Sequence, residues 1–311
     1  MHITDINEIM RTLNISASNT ELLTESDDII SYRINSSYIL KISTSTLAEQ
    51  IKLNRVKSLK LAPKIHMSGS LCISDCEYHY MMIDYMQGHE LWKVAQSLTD
   101  EAKYNIGKEI AQFLNELHMI TGDYYDIGHY IPTIPMCTKS WKEGHLDYAA
   151  ILQKGILKMD IEPDNQKIIS RAFDYIHANI NALDYQAGAK LLHNDFHPKN
   201  IIVNDNRLTG VIDWECSQYG EADFELSRMI DWCIYPEKYL PQGNNFEILL
   251  KSIIEALQLT TTIPDIEKRF TIYQLEQEIN QLIWHGKKQE EERISRVIGW
   301  LDGKINGFLM Q

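Results

Sequence analysis

The chain has 311 residues, and its 43 acidic and 30 basic residues give a formal net charge of −13. This balance argues against nucleic acid as the main partner, since phosphate binding requires basic patches, and against anionic membrane surfaces. No apolar run in the sequence is long enough to span a bilayer. The length predicts one or two domains, and a hydrophobic fraction of 44% is sufficient for a large core.

Cysteine usage and the N-terminal residues bear on cellular location. The five cysteines are odd in number and scattered, which favours reduced thiols over a disulfide framework. Residues 1–5 contain no basic region followed by an apolar segment, so no signal peptide is expected. We therefore expect a cytoplasmic protein, and we expect it to act as a monomer without a membrane partner.

The first part of the chain is predicted to form a small antiparallel sheet with two helices. Apolar residues at helical spacing predict a helix over residues 3–13, and a second helix is expected from Thr46 to Leu59. Short runs rich in β-branched and aromatic residues, separated by turn residues, predict the strands. The predicted strands cover residues 21–23, 29–34, 38–42, 69–73 and 78–86.

The pattern becomes helical after residue 86. Thr99 is a suitable N-cap, because acidic residues follow it in the first turn. Apolar residues at positions 106, 110, 113, 114 and 117 then form one core-facing stripe. Residues 121–140 are predicted to be an inserted loop. Further helices are predicted over residues 140–157, 165–183, 224–234, 246–257, 266–285 and 290–309.

A polar segment between two predicted helices interrupts this pattern. Apolar runs at residues 191–192 and 201–203 flank a polar loop, and a third run at 211–212 follows a turn, which together predict strand, loop, strand, turn and strand. The loop presents Asp195 and Asn200, and the last strand presents Asp213.

These three side chains suit phosphoryl transfer from a nucleotide, which requires metal ions on the phosphates, a positioned nucleophile and a carboxylate that accepts the hydroxyl proton. Asp195 would orient and deprotonate the acceptor hydroxyl. Asn200 would donate its amide oxygen to Mg²⁺, and Asp213 would bridge metal and phosphates, because Mg²⁺ prefers oxygen ligands. The order of base, metal Asn and metal Asp is that of kinases.

The segment His193–Asn200 resembles the H-G-D-x-H-x-x-N catalytic loop of the aminoglycoside phosphotransferase and choline kinase superfamily. Ile212–Trp214 resembles its I-D-F or I-D-W motif, and Gly220–Leu226 resembles its G-D-P-x-x-D/E-L motif. Three residues depart from the common forms of these motifs. They are Asn194 in place of Gly, Glu221 in place of Asp and Ala222 in place of Pro.

The resemblance implies an α+β, two-lobed protein-kinase-like fold with a small antiparallel-sheet N-lobe and a larger, mainly helical C-lobe. Residues 1–86 would form the nucleotide-binding lobe, and residues 87–311 would carry the catalytic loop and the acceptor site. His193 and His197 can be metal ligands on a helix, but Pro198 argues against a helix there. We therefore expect both histidines to have structural roles in the loop.

The resemblance also implies nucleotide contacts in the first lobe. Lys41 would reach the α- and β-phosphates and be held by Glu49, although a lysine on an edge strand can equally lie in solvent. The backbone carbonyl of Asp84 and the backbone amide of Met86 would contact the base at the hinge. No glycine precedes Gly69, so the loop at residues 24–28 is poor in glycine.

The hydroxyl of Ser26, in that loop, either donates to a phosphate or only makes the turn. On the acceptor side, Glu225 is expected to brace the catalytic loop. Glu215, Asp231 and Trp232 remain as candidate contacts for a cationic acceptor, since a carboxylate pairs with an amine and Trp stacks on a sugar or a quaternary ammonium. The alternative for each is a solvated acidic helix face.

The expected function is that of a small-molecule kinase that uses Mg²⁺ and transfers the γ-phosphoryl group of ATP or GTP to a small, cationic, hydroxylated acceptor. The acidic charge slightly favours an aminoglycoside-type antibiotic as acceptor over choline, ethanolamine, a sugar or an amino alcohol. A non-catalytic nucleotide-binding regulator is an alternative of another class. A protein kinase is disfavoured, because no A-P-E motif follows Asp213.

Overall fold

The chain divides into two compact units, according to the backbone contacts of a computed structural model. The first unit is Met1–Leu91 with Lys199–Cys216, and the second is Trp92–Pro198 with Ser217–Gln311. The sequence predicted that residues 1–86 bind the nucleotide and that residues 87–311 bind the acceptor. This assignment concerns bound ligands, so it stays a prediction. The structure describes residues 6–26, 29–43, 46–73, 76–127, 136–185, 187–236 and 246–305.

The first unit contains a five-stranded antiparallel sheet in the order β1-β2-β3-β5-β4. Its strands are β1 (Thr20–Glu25), β2 (Ile29–Ile34), β3 (Tyr38–Ser43), β4 (Ile65–Ile73) and β5 (Cys76–Asp84), and its helices are α1 (Ile6–Thr12) and α2 (Thr46–Arg55). The predicted antiparallel sheet is confirmed. Strand β4 begins earlier than the predicted residue 69, at Ile65.

The core of the first unit lies on one face of this sheet. Leu40 and Ile42 of β3 are fully buried there and belong to one apolar cluster with Ile9 and Met10 of α1. Successive side chains of a strand point to opposite faces, so Lys41 lies on the other face. The alternation in β3 therefore separates the core from the first candidate functional residue.

A second, three-stranded sheet also belongs to the first unit. It consists of β6 (His89–Glu90), β10 (Ile201–Asn204) and β11 (Arg207–Val211) in the order β11-β10-β6. Asp205 and Asn206 have φ values of +47° and +60°, as the two central residues of a tight hairpin turn require. Gly88 has φ +132°, and a Cβ there would overlap the carbonyl of Val203, so only glycine fits.

The second unit is mainly helical, and none of the described helices is long and apolar enough to cross a membrane. Two short ladders pair β7 (Tyr125–Ile127) with β8 (Met136–Thr138) and β9 (Lys190–Leu192) with β12 (Gln218–Gly220). The helices from Leu91 onward are α3 (Leu91–Val94), α4 (Asp100–Leu117), α5 (Trp141–Ile156), α6 (Pro163–Asn179), α7 (Ser227–Ile234), α8 (Glu247–Leu257), α9 (Leu259–Thr262), α10 (Ile266–His285) and α11 (Glu290–Leu301).

Most predicted helix boundaries agree with the structure, and the differences have local causes. The side chain of Thr99 accepts a hydrogen bond from the amide of Ala102, which confirms the predicted N-cap of α4. The predicted loop 121–140 contains the β7–β8 ladder, whose strands are too short to show periodicity, and residues 128–135 lie outside the described residues. Helix α11 ends earlier than predicted, because Gly303 adopts φ +79° just after it.

Candidate active site

The first part of the catalytic loop is fixed by a buried carboxylate in the second unit. The backbone amides of His193 and Asn194 donate to the two carboxylate oxygens of Glu225, at 2.6 and 2.8 Å. Glu225 is 1% exposed. Hydrogen bonds to an ionised acceptor are shorter and stronger than neutral ones. Glu225 thus braces the loop as the resemblance implied.

The departure at Asn194 leaves the loop backbone intact. Asn194 has φ +69°, in the left-handed region that favours glycine. Asn adopts this region more readily than other non-glycine residues, so it can replace the glycine of the common motif. His193 is fully buried, and its Nδ1 accepts from the amide of Asp195 at 3.3 Å. His193 therefore contacts the loop backbone, and its predicted structural role stays a prediction.

Asp195 follows this braced segment and contacts two groups of the second unit. One carboxylate oxygen lies 3.3 Å from Nε2 of His197, and the other lies 3.4 Å from Nε of Arg228. Burial by itself raises the pKa of Asp195, but the hydrogen bond from His197 and the charges of His197 and Arg228 outweigh burial and hold the pKa well below its usual value. Asp195 is therefore a carboxylate at neutral pH.

The sequence reasoning did not identify Arg228 as a functional residue. One feature of the sequence could have indicated Arg228, since it is the only basic residue between Asp213 and Asp231. Trp232 is 3% exposed, and its ring stacks on His197 with centroids 5.1 Å apart. Trp232 therefore packs against a partner of the candidate base, and its predicted contact with an acceptor stays a prediction.

In the first unit, Lys41 and Glu49 form a close ion pair. Nζ of Lys41 donates to both carboxylate oxygens of Glu49, at 2.7 and 2.9 Å, and Glu49 is 4% exposed. Burial alone lowers the pKa of Lys41, but the charges of Glu49 and Asp213 outweigh it and raise the pKa. The charges of Glu49 and Asp213 thus act on Lys41 within the first unit. All three residues were predicted to serve nucleotide or metal binding.

Asn200 and Asp213 are held together by the pairing of β10 with β11. Ile201 faces Val211, and the amide of Ile212 donates to the carbonyl of Asn200 at 2.9 Å. Asp213 follows at once and has φ +68°. One carboxylate and one amide oxygen fit Mg²⁺, which is usually held by one or two carboxylates and the phosphates. The described residues contain no group of three or more His, Cys, Asp or Glu arranged for a metal.

The hinge residues lie at the end of β5. The carboxylate of Asp84 accepts from the backbone amide of Lys64 at 2.8 Å and lies 2.6 Å from Nε2 of His66. The amide of Tyr85 donates to the carbonyl of Ser37 at 2.8 Å. These contacts fix Asp84 and the peptide bond that joins it to Tyr85. The roles of the Asp84 carbonyl and the Met86 amide at the base stay predictions.

The hydroxyl of Ser26 takes part in the turn between β1 and β2. Ser26 Oγ accepts from the amide of Ile29 at 3.2 Å and lies 3.3 Å from the Ile29 carbonyl. Of the two predicted roles of the Ser26 hydroxyl, the structure contains the one in which it forms the turn. The other role, a contact with phosphate, stays a prediction. The neighbouring residues 27–28 of the predicted phosphate loop lie outside the described residues.

The two acidic residues chosen for the acceptor belong to different units and differ in exposure. Glu215 is exposed, belongs to the first unit, and its charge raises the pKa of Lys41. Asp231 belongs to the second unit, is fully buried, and accepts from Nη1 of Arg296 at 2.8 Å. A carboxylate that is buried and neutralised in this way has no surface for a ligand, so we do not carry Asp231 forward as an acceptor contact.

Two further acidic residues after Asp213 are buried, whereas a solvated acidic helix face would expose them. Glu221 and Asp223 are at most 1% exposed, and both pair with Arg269 of α10. Nε of Arg269 donates to Asp223 at 2.7 Å, and one Nη group donates to Glu221 at 2.5 Å. The Glu221 departure thus belongs to a buried ion network, which the sequence reasoning missed because Arg269 lies far along the chain.

Solved structures of aminoglycoside phosphotransferases resemble this one. A thermostable mutant of APH(4)-Ia in ternary complex with AMP-PNP and hygromycin B matches with a TM-score of 0.70 and 16% identity, covering 97% of this chain and 99% of that chain. The streptomycin–ATP complex of APH(2'')-IIa matches with a TM-score of 0.64 and 19% identity, covering 96% and 97%. ADP-bound APH(2'')-Ib matches with 0.63 and 19%, covering 95% and 97%.

At these identities the likeness concerns the fold, and it confirms the predicted α+β, protein-kinase-like architecture with an antiparallel-sheet N-terminal part and a helical remainder. No curated protein matches the chain by sequence. The model described as "Phosphotransferase enzyme family" matches residues 16–245, well over half of the chain. That span contains the paired Lys41 and the whole catalytic loop. The chain belongs to this family, and the protein is a phosphotransferase.

Proposed function

We propose that the protein is a small-molecule kinase that transfers the γ-phosphoryl group of ATP or GTP to a hydroxyl of an aminoglycoside-type antibiotic. The observation that carries the proposal is the loop in which Asp195 is held as a carboxylate, directly after a segment braced by Glu225. Such a carboxylate is the group that phosphoryl transfer to a hydroxyl requires from the protein.

The nucleotide side of the proposal uses residues of the first unit. Lys41, oriented by Glu49, binds the α- and β-phosphates, and the hinge at Asp84 and Met86 binds the base. Asn200 and Asp213 would hold Mg²⁺, which when bound neutralises charge on the phosphates. The proposal therefore assigns nucleotide binding to residues 1–86 together with these two oxygen ligands, and acceptor binding to residues 87–311.

The acceptor side of the proposal uses residues of the second unit. Asp195 accepts a hydrogen bond from the acceptor hydroxyl, orients its oxygen and takes its proton as the phosphoryl group is transferred. His197 and Arg228 keep Asp195 ionised and fix its orientation. Trp232 in turn fixes the ring of His197 by stacking.

Two observations support an antibiotic acceptor. The solved structures with this fold include complexes with hygromycin B and with streptomycin. The net charge of −13 also suits a cationic acceptor. The presence of AMP-PNP, ATP and ADP in those structures supports ATP as the donor.

A metabolite acceptor is the second candidate, and the charges near the base favour it. Arg228 places a positive charge beside Asp195, and Asp231 is neutralised by Arg296. This arrangement provides fewer negative contacts for a polycation than the sequence suggested. A sugar or an amino alcohol carries one positive charge or none, so it requires fewer negatively charged contacts than a polycation does.

The acceptor assay tests the proposal directly. Nucleotide turnover with Mg²⁺ is measured against aminoglycosides, choline, ethanolamine and sugars, with ATP and GTP in parallel. Turnover that depends on an aminoglycoside supports the first candidate, and turnover that depends only on a metabolite supports the second. Nucleotide binding without turnover on any acceptor would contradict the kinase proposal and favour a nucleotide-binding regulator.

Replacing Lys41 by Met should lower kcat/KM by roughly 10²-fold, because a preorganised donor to the phosphates is lost. Lys60→Met is the matched control, since Lys60 is an exposed lysine of the same unit. The measurement is steady-state kinetics with varied nucleotide, together with thermal unfolding of both variants. An unchanged rate in the Lys41 variant would mean that another group binds the phosphates.

Replacing His197 by Gln should move the acidic limb of the kcat/KM profile to higher pH. Asp195 must be deprotonated to accept the hydroxyl proton, and burial raises its pKa once the contribution of His197 is removed. In the unmodified protein the limb should lie below the usual range of an aspartate. The exposed His177→Gln serves as the control. Coincident acidic limbs in the His197 variant and the unmodified protein would show that His197 does not set the pKa of the base.

A further inference from the structure

The second unit contains a small cavity between helices α5 and α10. Its volume is about 40 Å³, which accommodates roughly three atoms the size of a water oxygen, at about 10–15 Å³ each. Two of its lining residues, Asp126 and Gln277, are partly exposed, so the cavity is not sealed. Neither His197 nor Arg228, the two ion-pair partners described for Asp195, lines it.

Buried polar atoms in this cavity have no protein partner. His145 and Glu276, each 2% exposed, are paired through Nδ1 and one carboxylate oxygen at 2.7 Å. The other ring nitrogen of His145 and the other oxygen of Glu276 have no hydrogen-bond partner among the described residues, and neither does the amide nitrogen of Asn280. Buried polar groups are nearly always satisfied, so the free acceptor oxygen of Glu276 indicates a bound donor, and the amide nitrogen of Asn280, itself a donor, indicates a bound acceptor such as water.

Aromatic rings form the remaining wall. The rings of Trp141 and His145 have centroids 4.4 Å apart, those of Trp141 and Phe224 are 5.3 Å apart, and those of Phe224 and Tyr273 are 4.8 Å apart. Aromatic faces attract cations, and the attraction grows when the cation is desolvated. Rings of this kind can enclose a small positive group.

The charges around the cavity agree with this reasoning. Its described lining includes two carboxylates, those of Asp126 and Glu276, and no lysine or arginine. Burial raises the pKa of Glu276, while the charge of His145 opposes the rise. Arg269 contacts the hydroxyl of Tyr273, but its own charge is balanced by Glu221 and Asp223. A cation in the cavity would provide a partner for the second carboxylate oxygen of Glu276, the one that does not contact His145.

We propose that this cavity binds a primary ammonium group, which donates a hydrogen bond to the second carboxylate oxygen of Glu276. The rings of Trp141, Phe224 and Tyr273 enclose its charge. The group belongs either to a small free amine or to an amine arm of a larger molecule, and the volume excludes a quaternary ammonium. The proposal does not rest on the kinase activity, because binding requires no nucleotide.

The test is calorimetric titration of the full chain, without nucleotide, with methylammonium chloride. Tetramethylammonium chloride at the same ionic strength is the size control in the unmodified protein. We expect saturable binding of methylammonium and none of tetramethylammonium. Glu276→Gln should weaken methylammonium binding by about tenfold or more, because a charge-assisted hydrogen bond is lost. Glu267→Gln on the same helix, outside the cavity lining, should leave binding unchanged.

Competition with spermidine identifies the source of the group. If spermidine displaces methylammonium from the unmodified protein but not from the Glu276→Gln variant, the cavity binds the amine arm of a larger molecule. If spermidine fails to displace methylammonium, the cavity binds a small free amine. Circular dichroism confirms that the variants are folded. The proposal is overturned if methylammonium shows no saturable binding, if tetramethylammonium binds equally well, or if the Glu276 variant binds methylammonium as the unmodified protein does.

Discussion

Replacing Asp195 by Asn should lower kcat by roughly 10²–10⁴-fold, the range that a positioned general base contributes. Asn has nearly the same shape, but it cannot accept the hydroxyl proton. Nucleotide affinity should change little, because the proposed nucleotide residues Lys41, Asn200 and Asp213 are retained. The measurement is steady-state turnover with the best acceptor of the panel, together with equilibrium binding of the nucleotide.

The matched control for this variant is Asp205→Asn. Asp205 lies in the exposed turn between β10 and β11 with φ +47°, a conformation that Asn tolerates. Turnover of the control should equal that of the unmodified protein. Near-normal turnover of Asp195→Asn would rule out Asp195 as the base. A loss that is accompanied by weaker nucleotide binding would assign Asp195 a role on the nucleotide side instead.

Replacing Arg269 by Met should lower the free energy of unfolding by about 3–5 kcal/mol, the typical effect of removing one partner from a buried ion pair. Met fills a similar volume, but it leaves the carboxylates of Glu221 and Asp223 buried without a cation. It also removes the hydrogen bond from Arg269 to the carbonyl of Ala182 at 2.8 Å. Urea unfolding followed by circular dichroism measures the effect.

Lys268→Met is the matched control for the Arg269 variant. Lys268 is the preceding residue of α10, and its pair with Asp265 is exposed to solvent. Exposed pairs contribute little to stability, so its unfolding midpoint should remain close to that of the unmodified protein. Equal midpoints for the Arg269 variant and the control would show that the network of Arg269, Glu221 and Asp223 does not stabilise the fold.

Two of the three departures from the family motifs, Asn194 and Glu221, have physical explanations in the structure. Asn194 adopts the left-handed conformation that the loop requires, and Glu221 extends a longer carboxylate to Arg269. Neither change alters the residues proposed for chemistry. The substitutions therefore concern how the catalytic loop is supported, and the order of Asp195, Asn200 and Asp213 is retained.

The features that depend on local pattern were predictable from the amino-acid sequence. Alternation in β3 places Lys41 opposite the buried Leu40 and Ile42, because side chains alternate along a strand. Thr99 and the apolar stripe after it predicted α4, because capping and helical periodicity act over a few residues. The motif from His193 to Asn200 indicated the family for the same reason, since its chemistry lies within one loop.

Which charges are exposed and which are paired could be seen only in the folded protein. Asp231 looked available to a ligand but is buried against Arg296, and Arg228 proved to be a partner of Asp195. The polar cavity around His145 and Glu276 joins two helices that are far apart in the chain. Burial and ion pairing depend on packing between distant segments, and a single sequence carries no local signal for which distant segments will meet.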